Sequence, residues 1–258
     1  MIQRSSIGDN FIDIIIPVYN SEKYISETIN CLQNQSYRHF KAYFIDDKSS
    51  DNSLKILQRY KSKNIFVYNL KKNMGPAFCR NLGMRKSKNK YVCFLDADDL
   101  WHKDKLKNQI KFMIRNNLNF SYTYYKTFKS KNIFIKSIKV PSKFNFETFI
   151  KNTSIATSSI MVRRDLIKFT KFKKKGYGFD DYIFKCDLLR KKNIRLLALS
   201  EFLTFYRLNS NSISSNPIRN IYWIWNINRS YLNFNIFKNI YLVINISLNS
   251  IKKYLFKI

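Results

Sequence analysis

The chain has 258 residues, 45% of them hydrophobic, and sets 47 lysines and arginines against 17 acids for a net charge of +30. That content supports a full core and excludes a long disordered tail, and the length allows one large α/β domain or two small ones. Four scattered cysteines (Cys31, Cys79, Cys93, Cys186) exclude a C-x-x-C metal cluster and a disulfide framework, which fits a reducing cytosol. Met1–Ser6 lacks the apolar core of a signal peptide, and no uninterrupted apolar run approaches the ~18 residues of a membrane span.

In chain order, Ile12–Val18 reads as a β-branched strand ended by Pro17, and Ser21–Asn34 as a helix with Ile25, Ile29 and Leu32 on one face and Glu22 in its first turn. Lys41–Asp46 is a second strand running into Asp46-Asp47. Ser50 or Asp51 is placed to cap a helix through Leu54, Leu57 and Lys61. Ile65–Tyr68 is a third strand, Gly75–Ser87 a helix opened by Gly-Pro, and Tyr91–Leu95 a fourth strand. This β-α-β-α alternation predicts a doubly wound, mostly parallel sheet that binds a nucleotide at its carboxyl edge. A helix at Lys103–Asn117 follows, then an aromatic stretch of strands and loops over 119–150. A strand is expected at Thr157–Val162, a helix at Asp180–Lys192, a strand pair at Ile194–Leu199 and Phe202–Tyr206, and aromatic helices in the last forty residues. The expected division is a catalytic unit over 1–215 and a C-terminal helical extension over 216–258.

The most informative stretch is Cys93-Phe94-Leu95-Asp96-Ala97-Asp98-Asp99-Leu100-Trp101. Three carboxylates within four positions at a strand end repel one another, and a hard divalent cation bridging them to a phosphate would neutralise them. The alternative is a plain acidic turn capping the next helix, and three acids on so basic a chain favour the cation. Asp46-Asp47 repeats the pattern one strand earlier, and Asn73–Gly83 between them carries Arg80 on a helix that starts at Gly75-Pro76. One acid site suited to uracil or ribose and another suited to a metal diphosphate together suggest a nucleotide sugar.

These segments resemble the family-2 glycosyltransferases with the GT-A fold. The matching residues are Ile15–Ile25, Asp46-Asp47-Lys48-Ser49-Ser50-Asp51, Asn73–Gly83, Phe94–Trp101, Thr157–Arg164, Phe179-Asp180-Asp181-Tyr182 and Tyr206–Ser214, spread over about residues 11–215. The resemblance implies that Pro17, Tyr19 and Glu22 line the nucleoside pocket, with Asp46 or Asp47 on the uracil and Arg80 nearby. It implies that Asp96 faces the ribose or the ion, that Asp98 binds Mn²⁺ or Mg²⁺, and that Asp181 is the general base. Three positions depart from the family pattern: Asp180 stands for the usual Glu, Lys48 for a Gly, and Asn209 for a His. Read without the resemblance, Asp180-Asp181 is a helix-capping pair. Trp101 either stacks on an acceptor sugar or packs the core. His39 and His102 are expected on the surface, without a catalytic role.

The implied chemistry is metal-dependent transfer of a hexosyl or N-acetylhexosaminyl group, with inversion, from a nucleotide sugar (UDP expected). The acceptor would be a hydroxyl of a glycan or lipid-linked precursor of lipopolysaccharide, O-antigen or capsule. Ile240, Val243, Ile244, Leu248, Ile251, Leu255 and Ile258 form a helical stripe beside Lys252, Lys253 and Lys257, widened by Leu242, Ile246 and Phe256. That pattern suits either an anionic membrane surface, making the protein peripheral on the cytoplasmic face of the inner membrane, or packing on the catalytic domain. The charge and aromatics also admit a nucleic-acid-binding protein, but acid clusters at strand ends would repel phosphates, so no nucleic acid is expected. Asn209 admits a third reading, a nucleotide-sugar-binding protein that has lost catalysis.

Overall fold

The computed structural model describes residues 10–130, 133–173, 179–209 and 216–255, without the side chains of 252–255. The expectations for Met1–Ser6, for Ser210–Ser214 of the Tyr206 segment, and for the side chains of Lys252, Lys253, Leu255, Phe256, Lys257 and Ile258 lie outside these.

Among the described residues nine strands form one sheet. The first half runs β1 (Ile12–Val18), α1 (Ile25–Gln33), β2 (Phe40–Asp46), α2 (Ser53–Arg59), β3 (Ile65–Asn69), α3 (Pro76–Lys86) and β4 (Tyr91–Phe94). The order β3-β2-β1-β4 is parallel throughout. Chain direction across the sheet therefore reverses at β1, and the crevice between the carboxyl ends of β1 and β4 is where open α/β sheets bind ligands. The second half adds β5 (Leu100–Trp101), α4 (Lys105–Arg115), β6 (Phe120–Phe128), β7 (Phe134–Ile138), α5 (Phe146–Phe149), a 3₁₀ turn at Thr157–Ser159, β8 (Met161–Arg163), α6 (Arg164–Ile167), α7 (Asp180–Leu189) and β9 (Leu196–Arg207). β8 extends the sheet antiparallel to β4 and is followed by β6, β9 and β5. The result is a mixed sheet flanked by helices, the architecture that the resemblance implies.

The strands are apolar along their length because both faces are covered. Ile14 and Ile16 of β1 meet Ile25, Ile29, Leu106 and Ile110 of α1 and α4 on one face. Ile15 meets Ala77 of α3 on the other, in the core that also holds Ile183 and Phe184 of α7. Helix α3 lies so close to β1 that a Cβ at Gly83 would come within 2.4 Å of Ile15 Cγ2. Helix α7 is buried from Tyr182 to Cys186 and at Leu188 and Leu189, and takes the charged Lys185 inside with it.

Four expectations are corrected. Helix α1 starts at Ile25, so Glu22 sits in the preceding turn, where the Tyr24 and Ile25 N–H groups donate to Ser21 O. The segment expected as a strand from Thr157 is a 3₁₀ turn through Ser159, and β8 begins only at Met161. The expected strand pair is one strand, β9, paired in parallel with β6; the polar Ser200-Glu201 step is absorbed as a register shift rather than a turn. The apolar stripe of the last helix is divided. In α8 (Pro217–Ser230) and α9 (Ile236–Leu255) the residues that join the main core are Ile224, Ile227, Leu242 and Ile246, whereas Ile240, Ile244, Leu248 and Ile251 stay exposed.

Candidate active site

The carboxyl end of β1 delivers Pro17 and Tyr19 to the crevice, and Tyr19 keeps its ring 52% exposed. Beyond it the β1–α1 and β2–α2 loops are laced together. Asn20 N donates to Ser49 Oγ (3.0 Å), Ser21 N to Ser53 Oγ (2.7 Å), and Glu22 N to Asp51 Oδ2 (2.9 Å). In return Ser50 N donates to Asn20 Oδ1 (2.8 Å), and Asn52 N to Glu22 Oε2 (3.0 Å). Glu22 thus clasps the second loop. Asn20 and Lys48 adopt left-handed backbone, φ 47° and 58°. Glycine takes that conformation without strain and lysine does not, which accounts for the glycine expected at Lys48.

Asp46 and Asp47 are both buried, with different tasks. Asp47 accepts from Met74 N and Gly75 N, one per oxygen, each at 2.7 Å, and so fixes the turn before α3. Asp46 Oδ2 accepts from Ser49 N (3.1 Å), while its Oδ1 is a buried acceptor with no donor among the described residues.

The β4 end carries Asp96, Ala97, Asp98 and Asp99; one of the three acids meets a cation, and burial with the charges of its two neighbours pushes the Asp99 carboxyl well up. Arg80, on α3, pairs with Asp96 Oδ1 at 2.5 Å and lies over the Phe172 ring. Burial works against its charge, but Asp96, Asp181 and Asp180 together raise its pKa. Asp99 is fully buried and accepts from Ser158 Oγ (2.6 Å) and Arg207 N (2.9 Å). Arg207 also donates to Asp98 O (2.7 Å) and to Glu27 Oε2 (2.7 Å), with its guanidinium between the rings of Tyr24 and Phe128. Burial, then the Asp96 charge, lifts the Asp98 carboxyl to about 6 against the pull of its own backbone N–H and of Arg207.

No three His, Cys, Asp or Glu side chains converge on a common point among the described residues. The donor set still fits a divalent ion held by one carboxylate, Asp98, with substrate phosphates supplying other oxygens, as is usual for Mg²⁺. Burial and the Asp96 charge both disfavour the ionised Asp98 carboxyl, and a cation beside it would offset them.

Asp181 opens α7 after Phe179, itself left-handed at φ 51°. The helix-capping alternative does not describe it: its Oδ2 accepts from Thr157 Oγ1 and from Lys185 Nζ, both at 2.8 Å. Lys185, almost wholly buried, is fixed in turn by Ile155 O at 2.8 Å. Burial by itself would raise the Asp181 carboxyl, but Lys185, then Arg80 and Thr157, hold it at about 2. Asp180 lies beside it in the first turn. Asp181, Lys185, Phe179 and Tyr182 line a cavity of about 40 Å³ closed by Phe149, Thr153 and Ile224 of α8. Trp101 is buried, donates to Ser158 O (2.8 Å) and lies 3.7 Å from the Lys105 ammonium, so its ring packs the core and offers no face to a sugar.

The 3₁₀ turn joins the two acid stations. Thr157 holds Asp181, and the next residue, Ser158, holds Asp99 and accepts from Asp96 N (3.1 Å). Thr157, Ser158 and Arg207 fall in segments that carry the family resemblance but were given no role there, and Lys185 and Glu27 were not singled out. The signal for Lys185 is its position four residues after Asp181 on one helix.

The profile described as "Glycosyl transferase family 2" matches residues 13–195. The chain is 34% identical to the "Putative teichuronic acid biosynthesis glycosyltransferase TuaG" of Bacillus subtilis, over 80% of this chain and 82% of that one. It is 29% identical to the "UDP-Glc:alpha-D-GlcNAc-diphosphoundecaprenol beta-1,3-glucosyltransferase WfgD" of Escherichia coli, over 86% of each. Among solved structures, S. aureus TarS 1-349 in complex with UDP-GlcNAc superimposes with a TM-score of 0.71 at 22% identity, over 94% of this chain and 73% of that one.

Proposed function

The chain belongs to glycosyl transferase family 2, and from that premise we propose an inverting transfer from a UDP-sugar to a hydroxyl of a lipid-linked glycan precursor in bacterial surface-polysaccharide synthesis. The observation that carries the reading is the turn in which consecutive hydroxyls, Thr157 and Ser158, tie Asp181 to the Asp96–Asp99 loop. A donor station and a proton acceptor are thereby held on one rigid element, which productive attack requires. The names of TuaG and WfgD support the surface-glycan assignment, and WfgD supports a diphosphate-lipid acceptor.

In this reading the exposed Tyr19 ring stacks on the base, and Asp46 Oδ1 accepts the uracil ring N–H, which would satisfy a buried acceptor. Asp96, oriented by Arg80, faces the ribose. Asp98 would hold Mn²⁺ or Mg²⁺, which stabilises negative charge on the departing diphosphate when bound. The acceptor hydroxyl is a weak nucleophile and must lose its proton during attack. Asp181 takes that proton: both of its assigned bonds fall on Oδ2, so Oδ1 is the acceptor oxygen. With the carboxyl held at about 2, the base is ionised throughout the physiological range. Attack opposite the leaving diphosphate inverts the anomeric carbon.

The test is release of UDP from a panel of UDP-sugars with a polyprenyl-diphosphate sugar as acceptor, in Mn²⁺, Mg²⁺ or EDTA, with Asp98→Ala alongside. Metal-dependent release from one donor, abolished in the variant, establishes donor and ion together. Equal release in EDTA removes the ion, and UDP binding without turnover makes the chain a binding protein.

A further inference from the structure

We propose that the exposed face of α9 is a docking surface for an anionic lipid bilayer. The inference rests on the lipid-linked acceptor above and names the partner that presents it. Helix α9 buries Leu242, Ile246 and Asn239 against the catalytic core and turns a second apolar stripe outward. Phe237, Ile240, Tyr241, Ile244, Leu248 and Ile251 recur at spacings of three and four residues; Phe237 is 80% exposed and the others are about half exposed. A soluble chain rarely leaves a continuous apolar stripe in water unless something covers it.

Charge identifies the cover. Residues 216–258 contain six lysines and arginines and no acid, and the last acid of the chain is Glu201. Lys151 places its ammonium 5.3 Å from the Tyr241 ring, and Lys238 extends from the helix toward Glu147, the one acid paired with it among the described residues. An apolar stripe flanked by cations is the pattern of a helix lying in the interface of an anionic bilayer. A second copy of a +30 chain would bring like charge against like. At 20 residues α9 is about 30 Å long, but no helix of the described residues is long and apolar enough to cross a membrane. The surface lies beside the chemistry. Tyr182, next to Asp181, donates to Asn228 Oδ1 of α8 at 3.0 Å, the Phe179 and Trp223 rings meet at 5.6 Å, and Asn228 Nδ2 reaches Asn239 of α9 at 3.0 Å. A bilayer against α9 would thus hold a lipid-linked sugar close to the base helix.

The experiment is sedimentation of the full chain with vesicles of phosphatidylcholine alone and of phosphatidylcholine with phosphatidylglycerol, at low and high salt. The variants are Ile244→Glu with Leu248→Glu and, as a milder pair, Phe237→Gln with Ile240→Gln. Thermal melting checks the fold, and calorimetric titration with UDP checks the nucleotide site independently. The expected result is salt-sensitive binding to the anionic vesicles, reduced at least about tenfold in both pairs, with melting and UDP binding unchanged. Failure of the wild type to bind anionic vesicles, or undiminished binding in a folded pair, overturns the proposal. So does a dimer that the same substitutions dissociate without any vesicle binding. Vesicle binding without UDP binding would instead overturn the proposed function and leave the docking surface standing.

Discussion

Replacing Lys185 by Met removes the cation that faces Asp181 while keeping most of the side-chain volume. The pair is short, 2.8 Å, and poorly solvated, with the Asp181 side chain 28% exposed and Lys185 5% exposed. Against an ordinary carboxyl near ~3.9, a value of about 2 represents about 2.6 kcal/mol of preference for the ionised form. Lys185 is the largest of the favourable contributions, ahead of Arg80 and Thr157, so its loss should cost on the order of 1–2 kcal/mol, a fall in Tm of roughly 2–8 °C for a chain of this size. The sign follows from linkage. A carboxyl depressed in the folded state adds stability above its unfolded value, and that stability is lost as pH falls through the folded value. In the variant burial dominates and lifts the carboxyl. The Tm gap between wild type and Lys185→Met should then be widest near neutrality, narrow as pH falls below about 4 and vanish only near the folded value of about 2. If Asp181 is the base, the variant also gains an acid limb in kcat/KM inside the accessible range, where the wild type stays flat. Melting curves from pH 3 to 8 and initial rates from pH 5 to 8 read both effects. A Tm gap that is independent of pH, with a flat rate profile, would refute the assigned pairing and its consequence.

Asp98→Ala and Asp181→Asn should each lower kcat at least about a hundredfold in the transfer assay with UDP binding retained in Asp181→Asn, as typical charge-stabilising and acid–base contributions require. Lys48→Gly should raise Tm, because a left-handed lysine costs about 1–2 kcal/mol and the extra unfolded-state freedom of glycine returns only part of it; a lower Tm contradicts the strain. Gly83→Ala should destabilise by about 1–3 kcal/mol in urea titration, since its Cβ would meet Ile15 Cγ2 at 2.4 Å. A neutral result there would mean that α3 can back away from β1.

Strands β1 and β4 were legible because burial on both faces leaves an apolar run that a short window sees, and the acids at their ends followed from chain order. What the acids do was not legible. Three carboxylates at a strand end suggested a cation, yet Arg80 meets Asp96 from sixteen residues upstream, and Ser158 and Arg207 reach Asp99 from far downstream. Ser21–Tyr24 carry helix-forming residues, but they are held as a turn by bonds to Asp51 and Ser53 about thirty residues away, which local periodicity cannot register. Ser200-Glu201 has turn composition, and only its pairing with β6 keeps the strand running through it. In α9 periodicity found one stripe, widened by Leu242 and Ile246, without indicating that these two would be the covered residues. Thr157 lies in a segment that carries the family resemblance, but its bond to Asp181, twenty-four residues downstream, could not be read from it.

The lacing of the β1–α1 loop to the β2–α2 loop bears on how this enzyme can change donors. Backbone N–H groups of Asn20, Ser21 and Glu22 all donate to side chains of 49–53, and Asn20 and Glu22 accept in return. Single substitutions on either side leave a donor or acceptor stranded, whereas joint substitutions can restore the set, so their effects will not add. If these loops hold the base as proposed, selection for a new one would move through paired changes, with Glu22 and Asp51 varied together, and libraries that randomise one loop at a time would lose many members to instability.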